Sequence, residues 1–386
     1  MNPRGRNSII NPMTDDCLNV VKFISSDILQ FKLIKICFWI SLAIHIITNL
    51  IQIYFLTSVY DNRNEIILYA AVFFSEFYPM LAIGLILYDN QKVSHLKDEL
   101  YLWAINSAGE KIASKIRKEA NYLSLYCIMT CLTAVGASVL FVMDLPHDLE
   151  WFFVLRFLQD YLPEQFTVLA LLYKTTFFFT GYSMIVHALQ VIYYTQHLRY
   201  QIMMLNEYIM DLSDDGDDEE LFHDKHYQSK VEKKLKFCIK RWDAYLAAYK
   251  NKVSEISNMI IGFSLSGWLL GISVVIVMLS GKITPEYYPR QAAVGLAATL
   301  TFCCLIESCQ TIETQMQQMA LVINKVKWYT FNKNNQKLYL ILCMNLMVER
   351  KIQFSEKYSI NYQLGLAIVR GIYSIGTIFG NMNLSS

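Results

Sequence analysis

The chain alternates long apolar runs with polar segments, and the apolar runs have the length of membrane-spanning helices. A helix needs about 20 residues to cross a hydrocarbon core of roughly 30 Å. The sixth run is the least regular because Glu307 falls within it. The pattern predicts an all-α membrane protein with seven transmembrane helices. The runs are 36–59, 66–87, 122–143, 166–192, 254–279, 292–312 and 360–379.

The polar segments between the runs also carry helical patterns. Residues 15–31 place apolar side chains at helical spacing, which predicts an amphipathic helix at the membrane interface. The fourth run continues as a helix through 193–210, and further helices are expected in the later segments. The predicted units are an interfacial N-terminus (1–35), four spans (36–192), helical extensions with an acidic run at 213–220 (193–253), two spans (254–312), anchor helices (313–359) and the last span (360–386).

The distribution of Lys and Arg predicts the orientation of the spans. With the N-terminus in the cytoplasm, the inner segments hold 28 basic residues and the outer loops hold four. Positive charge is enriched on the cytoplasmic side of membrane proteins. The count therefore favours a cytoplasmic N-terminus and an extracellular C-terminus. That orientation is the reverse of a seven-helix G-protein-coupled receptor.

Composition narrows the function further. The chain is 54% hydrophobic and 17% charged with a net charge of +1, whereas a soluble chain carries about 25% charged residues. Nucleic acid is therefore not an expected partner. The nine cysteines lie mostly in apolar runs and are interpreted as packing residues. His187 and His197 lack partners at ligand spacing and are interpreted as structural. Without a catalytic or metal-binding motif, we expect no enzyme activity, no cofactor and no metal site.

Two runs carry dense clusters of aromatic side chains with a few hydroxyl groups: FFSEFY at 73–78 and YKTTFFFTGY at 173–182. Aromatic rings provide contact area and a few polar groups orient a ligand, so this pattern is typical of a pocket for a small apolar molecule. Helix packing and lipid-facing aromatics are the alternative. The predicted pocket residues are Phe73, Phe74, Phe77, Tyr78, Val135, Tyr173, Phe177 and Phe178.

Three charged residues fall within the spans: Glu76, Lys174 and Arg370. A charge inside a membrane is costly unless it is paired or hydrated. Glu76 and Lys174 lie at comparable depth, so the sequence suggests that they pair with each other. The alternative is that Lys174 extends toward the outer surface. The outer loop 144–165 holds five acidic residues, which either concentrate cations near a mouth on that side or have no role.

The last run reads INYQLGLAIVRGIYSIGTIF and contains Tyr373-Ser374-Ile375-Gly376-Thr377-Ile378-Phe379. This segment resembles the Tyr-Ser-x-x-Thr-Leu-Leu pattern at the end of insect odorant receptors, and the layout of spans and cytoplasmic helices also resembles that family. Gly376 departs from the pattern, because an aromatic residue is common there. The related gustatory receptors end in a Thr-Tyr and Gln-Phe pattern, which this chain lacks.

The resemblance implies an odorant receptor subunit in the plasma membrane of olfactory neuron dendrites. Such a subunit binds a volatile odorant and assembles with a co-receptor subunit as a heterotetrameric, non-selective cation channel. The last helix of each subunit lines the pore, and cytoplasmic helices hold the subunits together. The family's apolar gate falls on Ile378, and the polar ring that follows it falls on Asn381.

Helical spacing agrees with a pore-lining role for the last span. Stepping back from Ile378 gives Ser374, Gly371 and Ala367 on one face, and these small residues leave room for water. Arg370 lies beside that face and is expected to turn toward a neighbouring helix. Close helix packing through small residues is the alternative explanation. A G-protein-coupled receptor or a polytopic transporter remains the alternative function, although neither the Asp-Arg-Tyr and Asn-Pro-x-x-Tyr motifs nor an internal repeat is found.

Overall fold

The computed structural model is all-helical in the part of the chain that it describes, residues 16–58, 63–88, 103–146, 148–213, 218–279, 285–348, 351–352 and 359–384. The α-helices in these ranges are α1 (Asn19–Lys22), α2 (Lys32–Ser58), α3 (Arg63–Tyr88), α4 (Glu110–Val142), α5 (Asp148–Trp151), α6 (Phe153–Tyr161), α7 (Phe166–Met210), α8 (Asp218–His223), α9 (Lys225–Leu279), α10 (Tyr288–Ile323), α11 (Lys333–Leu346) and α12 (Tyr362–Leu384).

Each of the seven apolar runs lies within or nearly within one helix: α2, α3, α4, α7, α9, α10 and α12 in turn. Four helical stretches are long and apolar enough to cross a membrane by themselves. They are Lys32–Phe55, Glu110–Val142, Pro163–Met210 and Pro285–Ile323. The chain is therefore an all-α membrane protein, while the count of seven spans and their orientation stay predictions.

Helix α7 is the centre of the structure. It has 45 residues and packs against α4 and α10 along most of its length, with α2 and α3 beside its first half. Its second half is almost completely buried from 191 to 206. The helix runs without a break from the fourth apolar run into the following segment, as the helical pattern predicts. This burial explains why the extension at 193–210 remains helical, because the packing of an apolar face stabilises a helix more than the intrinsic helix propensity of its residues does.

The other extensions form a helical cluster around the second half of α7. Helix α9 has 55 residues and includes both the predicted extension and the fifth apolar run. Helix α11 packs against α9 and α10, and the side chain of Asn332 caps its start by accepting from the Asn335 amide. An N-cap of this kind satisfies one of the free amides at a helix start.

The N-terminal segment differs from the predicted interfacial helix. It consists of α1, a π-helical turn at Phe23–Asp27 and a 3₁₀ turn at Ile28–Gln30. Leu18 and Val21 are fully buried in the core with α7, whereas Phe31 is exposed. The buried apolar side chains thus pack on the helix bundle, and the segment is not the single continuous helix at the membrane interface that the pattern predicts. Residues 214–217 of the acidic run at 213–220 lie outside the described residues.

The loop at 144–165 is folded. Helices α5 and α6 place the buried side chains of 151–155 over the first part of α7. Phe55 of α2 and Tyr69 of α3 pack against the same group of side chains. The loop therefore covers the ends of three helices and closes this part of the bundle.

Candidate functional site

An aromatic cluster lies between α2, α4, α7 and the start of α6. Phe177 is its centre: its ring centroid lies 5.3 Å from that of Tyr173, 5.4 Å from Phe141 and 5.8 Å from Phe152. The ring of His45 lies 5.8 Å from Tyr173 and 6.3 Å from Phe177. Rings at these separations attract one another through edge-to-face contacts. Two of the predicted pocket residues, Tyr173 and Phe177, are thus brought together with three residues that the sequence analysis did not single out.

The polar side of this cluster is a chain of buried hydrogen bonds. The Tyr173 hydroxyl donates to Oε1 of Glu76 at 3.0 Å. The Thr176 hydroxyl lies 3.0 Å from Nε2 of His45 and donates to the Tyr173 carbonyl at 2.6 Å. Nδ1 of His45 lies 3.6 Å from Oε2 of Glu76. These polar groups are less than a tenth exposed, so each depends on the others for its partners.

The sequence analysis missed a polar face on the first apolar run. Ser41, His45, Asn49 and Gln52 follow one another at steps of four, four and three residues, and all are buried. Residues at this spacing share one side of a helix. Gln52 donates to the Tyr69 carbonyl at 2.9 Å, and Asn49 donates to the sulfur of Met80 at 2.9 Å. The spacing was available in the sequence, and it directs these groups toward α3 and α7.

Lys174 does not pair with Glu76, so that suggestion is wrong. Its ammonium lies 2.5 Å from Asp144 and 2.6 Å from Asp148, and its side chain is only 4% exposed. Tyr173, the preceding residue, faces Glu76 instead. Consecutive residues point about 100° apart around a helix, so similar depth did not ensure that Lys174 and Glu76 face each other. The side chain extends instead toward the loop at 144–165, as the alternative predicts, and its buried ammonium contacts the exposed carboxylate of Asp144 and the buried one of Asp148.

Asp148 joins three elements through a buried ion-pair network. Besides Lys174 it binds Arg290, whose Nη1 lies 2.7 Å from Oδ1, and it accepts from the Tyr287 hydroxyl at 2.8 Å. Burial raises the pKa of Asp148, but the hydrogen bonds from Arg290 and Lys174 outweigh that effect and hold the pKa below its ordinary value. Two of the five acids of the loop are therefore paired with Lys174 and Arg290, so a cation-concentrating surface would depend on the other three, Glu150, Asp160 and Glu164.

The remaining predicted pocket residues lie apart from the Phe177 cluster. Phe73 and Phe77 contact each other on α3 with centroids 5.1 Å apart, and the Tyr78 hydroxyl donates to the Met184 carbonyl at 2.8 Å. Val135 and Phe178 are exposed on the surface of the chain. Phe74 is part of α3, but its side chain lies outside the described residues.

Helix α12 lies at the edge of the chain, where it packs against α9 and α10. The contacts are close at two glycines: Gly365 meets Ile306 and Gly271 meets Ile372. Of the residues on the predicted pore-lining face, Ala367 and Ser374 are exposed and Gly371 is half-buried. Ile378 and Asn381 are helical, with side chains outside the described residues. Arg370 was expected to turn toward a neighbouring helix. It is exposed, so the described helices of this chain do not cover it.

The two histidines interpreted as structural both have polar partners. His187 lies 2.9 Å from the Ala82 carbonyl and 3.0 Å from the Gln190 side chain, which connects α7 to α3. His197 lies 3.2 Å from Asp16. In the described ranges, no group of three or more metal-ligating side chains is found.

Apolar side chains are exposed on α11, on the end of α10, on the turn between them and on the two residues after α11. These residues belong to the segment that the sequence analysis assigns to cytoplasmic anchor helices. If this segment lies outside the membrane as predicted, exposed apolar side chains of this number are typical of a surface that another protein covers. The exposed side chains are Leu321, Trp328, Tyr329, Leu340, Ile341, Met344, Met347 and Val348.

Comparison with known proteins agrees with the resemblance noted from the sequence. The family model described as 7tm Odorant receptor matches residues 62–373. The fold is similar to that of the insect olfactory receptor OR5 from Machilis hrabei in complex with eugenol, with a TM-score of 0.65 and 7% identity over 95% of this chain and 97% of that chain. A second structure of the same receptor gives a TM-score of 0.64 and 7% identity, covering 94% and 96% of the two chains. No curated protein matches the sequence.

Proposed function

The chain belongs to the insect odorant receptor family, and we propose that it is the odorant-binding subunit of a ligand-gated, non-selective cation channel. Membership in this family confirms that the chain is a receptor and not an enzyme. The protein acts in the plasma membrane of olfactory sensory neurons. It assembles there with a co-receptor subunit as a heterotetramer around a single pore.

The position of α12 is the observation that carries the channel proposal. Helix α12 packs against the rest of its chain with one side only. Small and polar residues on it, such as Ala367, Ser374 and Thr377, remain exposed. Lipid is a poor environment for hydroxyl groups and for the charge of Arg370. A pore shared between subunits provides water for this face. The apolar gate at Ile378 and the polar ring at Asn381 extend the same face toward the outer end.

The odorant is proposed to bind beside Phe177. The cluster of Tyr173, Phe177, Phe141 and Phe152 supplies aromatic surface, and His45 and Glu76 supply the few polar groups that orient a small molecule. Helices α5 and α6 cover the site from one end, which limits access of water. The predicted residues of α3, Phe73, Phe77 and Tyr78, would contribute from the neighbouring helix, whereas the exposed Val135 and Phe178 are not part of the proposed site.

Assembly is proposed to use the exposed apolar surface of α11. Leu340, Ile341 and Met344 each have at least half of their surface exposed in this chain. The hydrophobic effect favours covering such a surface with an equivalent helix of another subunit. The co-receptor is the expected partner, and its matching anchor helices would complete a central bundle.

The alternative functions, a G-protein-coupled receptor or a transporter, receive less support. The family match spans more than three quarters of the chain, and the fold is similar to that of an olfactory receptor along nearly its whole length. A transporter or a G-protein-coupled receptor would also leave the exposed face of α12 without a function. We therefore retain these alternatives only as outcomes of the experiments below.

The proposal is tested by recording odorant-evoked currents from cells that express this chain with a co-receptor. Phe177→Ala removes the centre of the aromatic cluster and is expected to weaken the response to an activating odorant at least about tenfold. Phe178→Ala is the matched control, because it removes the same side chain from the exposed surface of the same helix. Equal responses of the two variants would contradict the proposed position of the site.

A further inference from the structure

We propose that His45, Glu76 and Asn49 form a polar subsite that accepts hydrogen bonds, and that it selects small alcohols over their ethers and esters. The inference rests on the proposed odorant-binding function and names the class of odorant. It follows from a count of the protons that these buried groups hold. The three residues lie on facing sides of α2 and α3, next to the Phe177 cluster.

Thr176 determines which nitrogen of neutral His45 carries the proton. A threonine hydroxyl has one proton to donate, and Thr176 donates it to the Tyr173 carbonyl at 2.6 Å. Its oxygen must therefore accept a hydrogen bond from Nε2 of His45, 3.0 Å away. A neutral imidazole has one N–H group, so Nδ1 of His45 is left as an acceptor.

Glu76 does not form a hydrogen bond with Nδ1 of His45. Its Oε1 already accepts from the Tyr173 hydroxyl, and its Oε2 lies 3.6 Å from Nδ1 of His45. This separation is too long for a hydrogen bond, so Nδ1 of His45 is left without a partner. Lys174 follows Tyr173 on α7, but it is bound to Asp144 and Asp148 and is not available to Glu76.

Asn49 adds a third acceptor one turn along α2. Its amide nitrogen donates to the sulfur of Met80, which orients its Oδ1 away from that contact. Both Oδ1 of Asn49 and Nδ1 of His45 are buried, and neither has a hydrogen-bond partner among the described residues. Buried acceptors without a donor are costly, and the surroundings contain an excess of acceptors over donors.

A ligand with a hydroxyl group supplies the donor that this site lacks. An alcohol donates its proton to Nδ1 of His45, Oε2 of Glu76 or Oδ1 of Asn49, while its apolar body packs against Phe177 and its neighbours. An ether or ester of the same size carries acceptors only, so it leaves the buried acceptors unsatisfied. Sites that hydrogen-bond a substrate hydroxyl discriminate strongly against analogues that lack it.

The test uses matched pairs of volatile alcohols and their methyl ethers and acetates, applied to cells that express the chain with a co-receptor. The activating alcohols are expected to require at least about tenfold lower concentrations than their ethers. Glu76→Gln keeps the acceptor for Tyr173 and adds an amide donor toward His45. It is therefore expected to reduce the preference for alcohols to about twofold or less. The variant channel should reach the cell surface in amounts similar to the wild type.

Asn49→Leu is a second variant with the same number and branching of side-chain heavy atoms, and it is expected to reduce the preference in the same direction. Thr57→Val is the control, because Thr57 is an exposed residue of the same helix that bonds only to its own backbone. A channel that responds equally to alcohols and ethers, or better to ethers, overturns the inference and leaves the proposed function intact. A channel that is present at the surface and silent to every odorant overturns both.

Discussion

Lys174 and Asp148 form an ion pair of 2.6 Å in which both side chains are less than a tenth exposed. The pair ties α7 to the folded outer loop, and Arg290 extends it to α10 through the second oxygen of Asp148. One carboxylate thus holds three elements next to the proposed odorant site. We therefore expect this network to be required for the structure of the proposed site.

We expect Asp148→Asn to destabilise the protein by about 3–5 kcal/mol, because it leaves two buried cations without their shared anion. The measurement is the thermal unfolding of the detergent-solubilised protein, together with the amount at the cell surface. Glu232→Gln is the matched control, since its pair with Lys236 is largely exposed and contributes little. Similar losses in the two variants would contradict the role of the network.

The N-terminal segment is expected to detach in acid. Burial raises the pKa of Asp16, but its contacts with His197 and the Tyr193 hydroxyl outweigh burial and lower the pKa to about 2 from an ordinary value of 3.8. A lowered carboxyl pKa stabilises the folded state above about pH 4, and this contribution of about 2 kcal/mol is lost as the pH falls toward 2.

Hydrogen exchange of the amides at 18–22, corrected for the intrinsic pH dependence, measures that effect. Protection should fall between about pH 4 and 2 in the wild type and should be low and nearly independent of pH in Asp16→Asn. The Leu18 amide, which donates to Asp16 at 2.9 Å, is the most direct reporter. A parallel loss of protection in both proteins would assign the acid sensitivity to another group.

We expect Ile378→Ala to increase the resting current of the channel. A ring of large apolar side chains closes a pore by excluding water, and a smaller side chain weakens that barrier. Val369→Ala is the control, because nine residues at 100° each place Val369 on the opposite side of α12. An unchanged resting current in Ile378→Ala, or an equal leak in Val369→Ala, would count against the gate.

The orientation of the chain is tested by labelling tags in intact cells. A tag at the C-terminus should be accessible from outside, whereas tags at the N-terminus and between α7 and α8 should be accessible only after permeabilisation. The prediction follows from the 28 basic residues of the inner segments and the four of the outer loops. A C-terminus found in the cytoplasm would contradict the proposed channel, because the gate and the polar ring of α12 would then lie at the inner end of the pore.

The helices could be predicted from the sequence because a long apolar run has few alternatives in a membrane. Backbone groups must be satisfied within the segment, so each run becomes a helix whatever its neighbours are. The continuation of α7 to Met210 was likewise predictable from its pattern. The turn of π-helix at Phe23–Asp27 was not, because it results from the packing of the N-terminal segment against α7.

The candidate site was only partly predictable, because partners depend on rotation around each helix as well as on depth. Tyr173 and Lys174 are adjacent in the sequence, yet one bonds to Glu76 and the other to Asp148. Depth alone suggested the wrong partner for Lys174. His45 escaped notice because a single histidine in an apolar run carries no motif, although its spacing from Asn49 indicated a shared polar face.

The central claim is that this chain forms an odorant-gated cation channel with a co-receptor, and whole-cell recording tests it most directly. Cells that express both subunits should respond to a panel of volatile alcohols with a current carried by Na⁺ and K⁺ alike. Cells that express the co-receptor alone should not give the same response. Surface expression of both subunits with no odorant-evoked current, or currents identical to those of the co-receptor alone, would contradict the account.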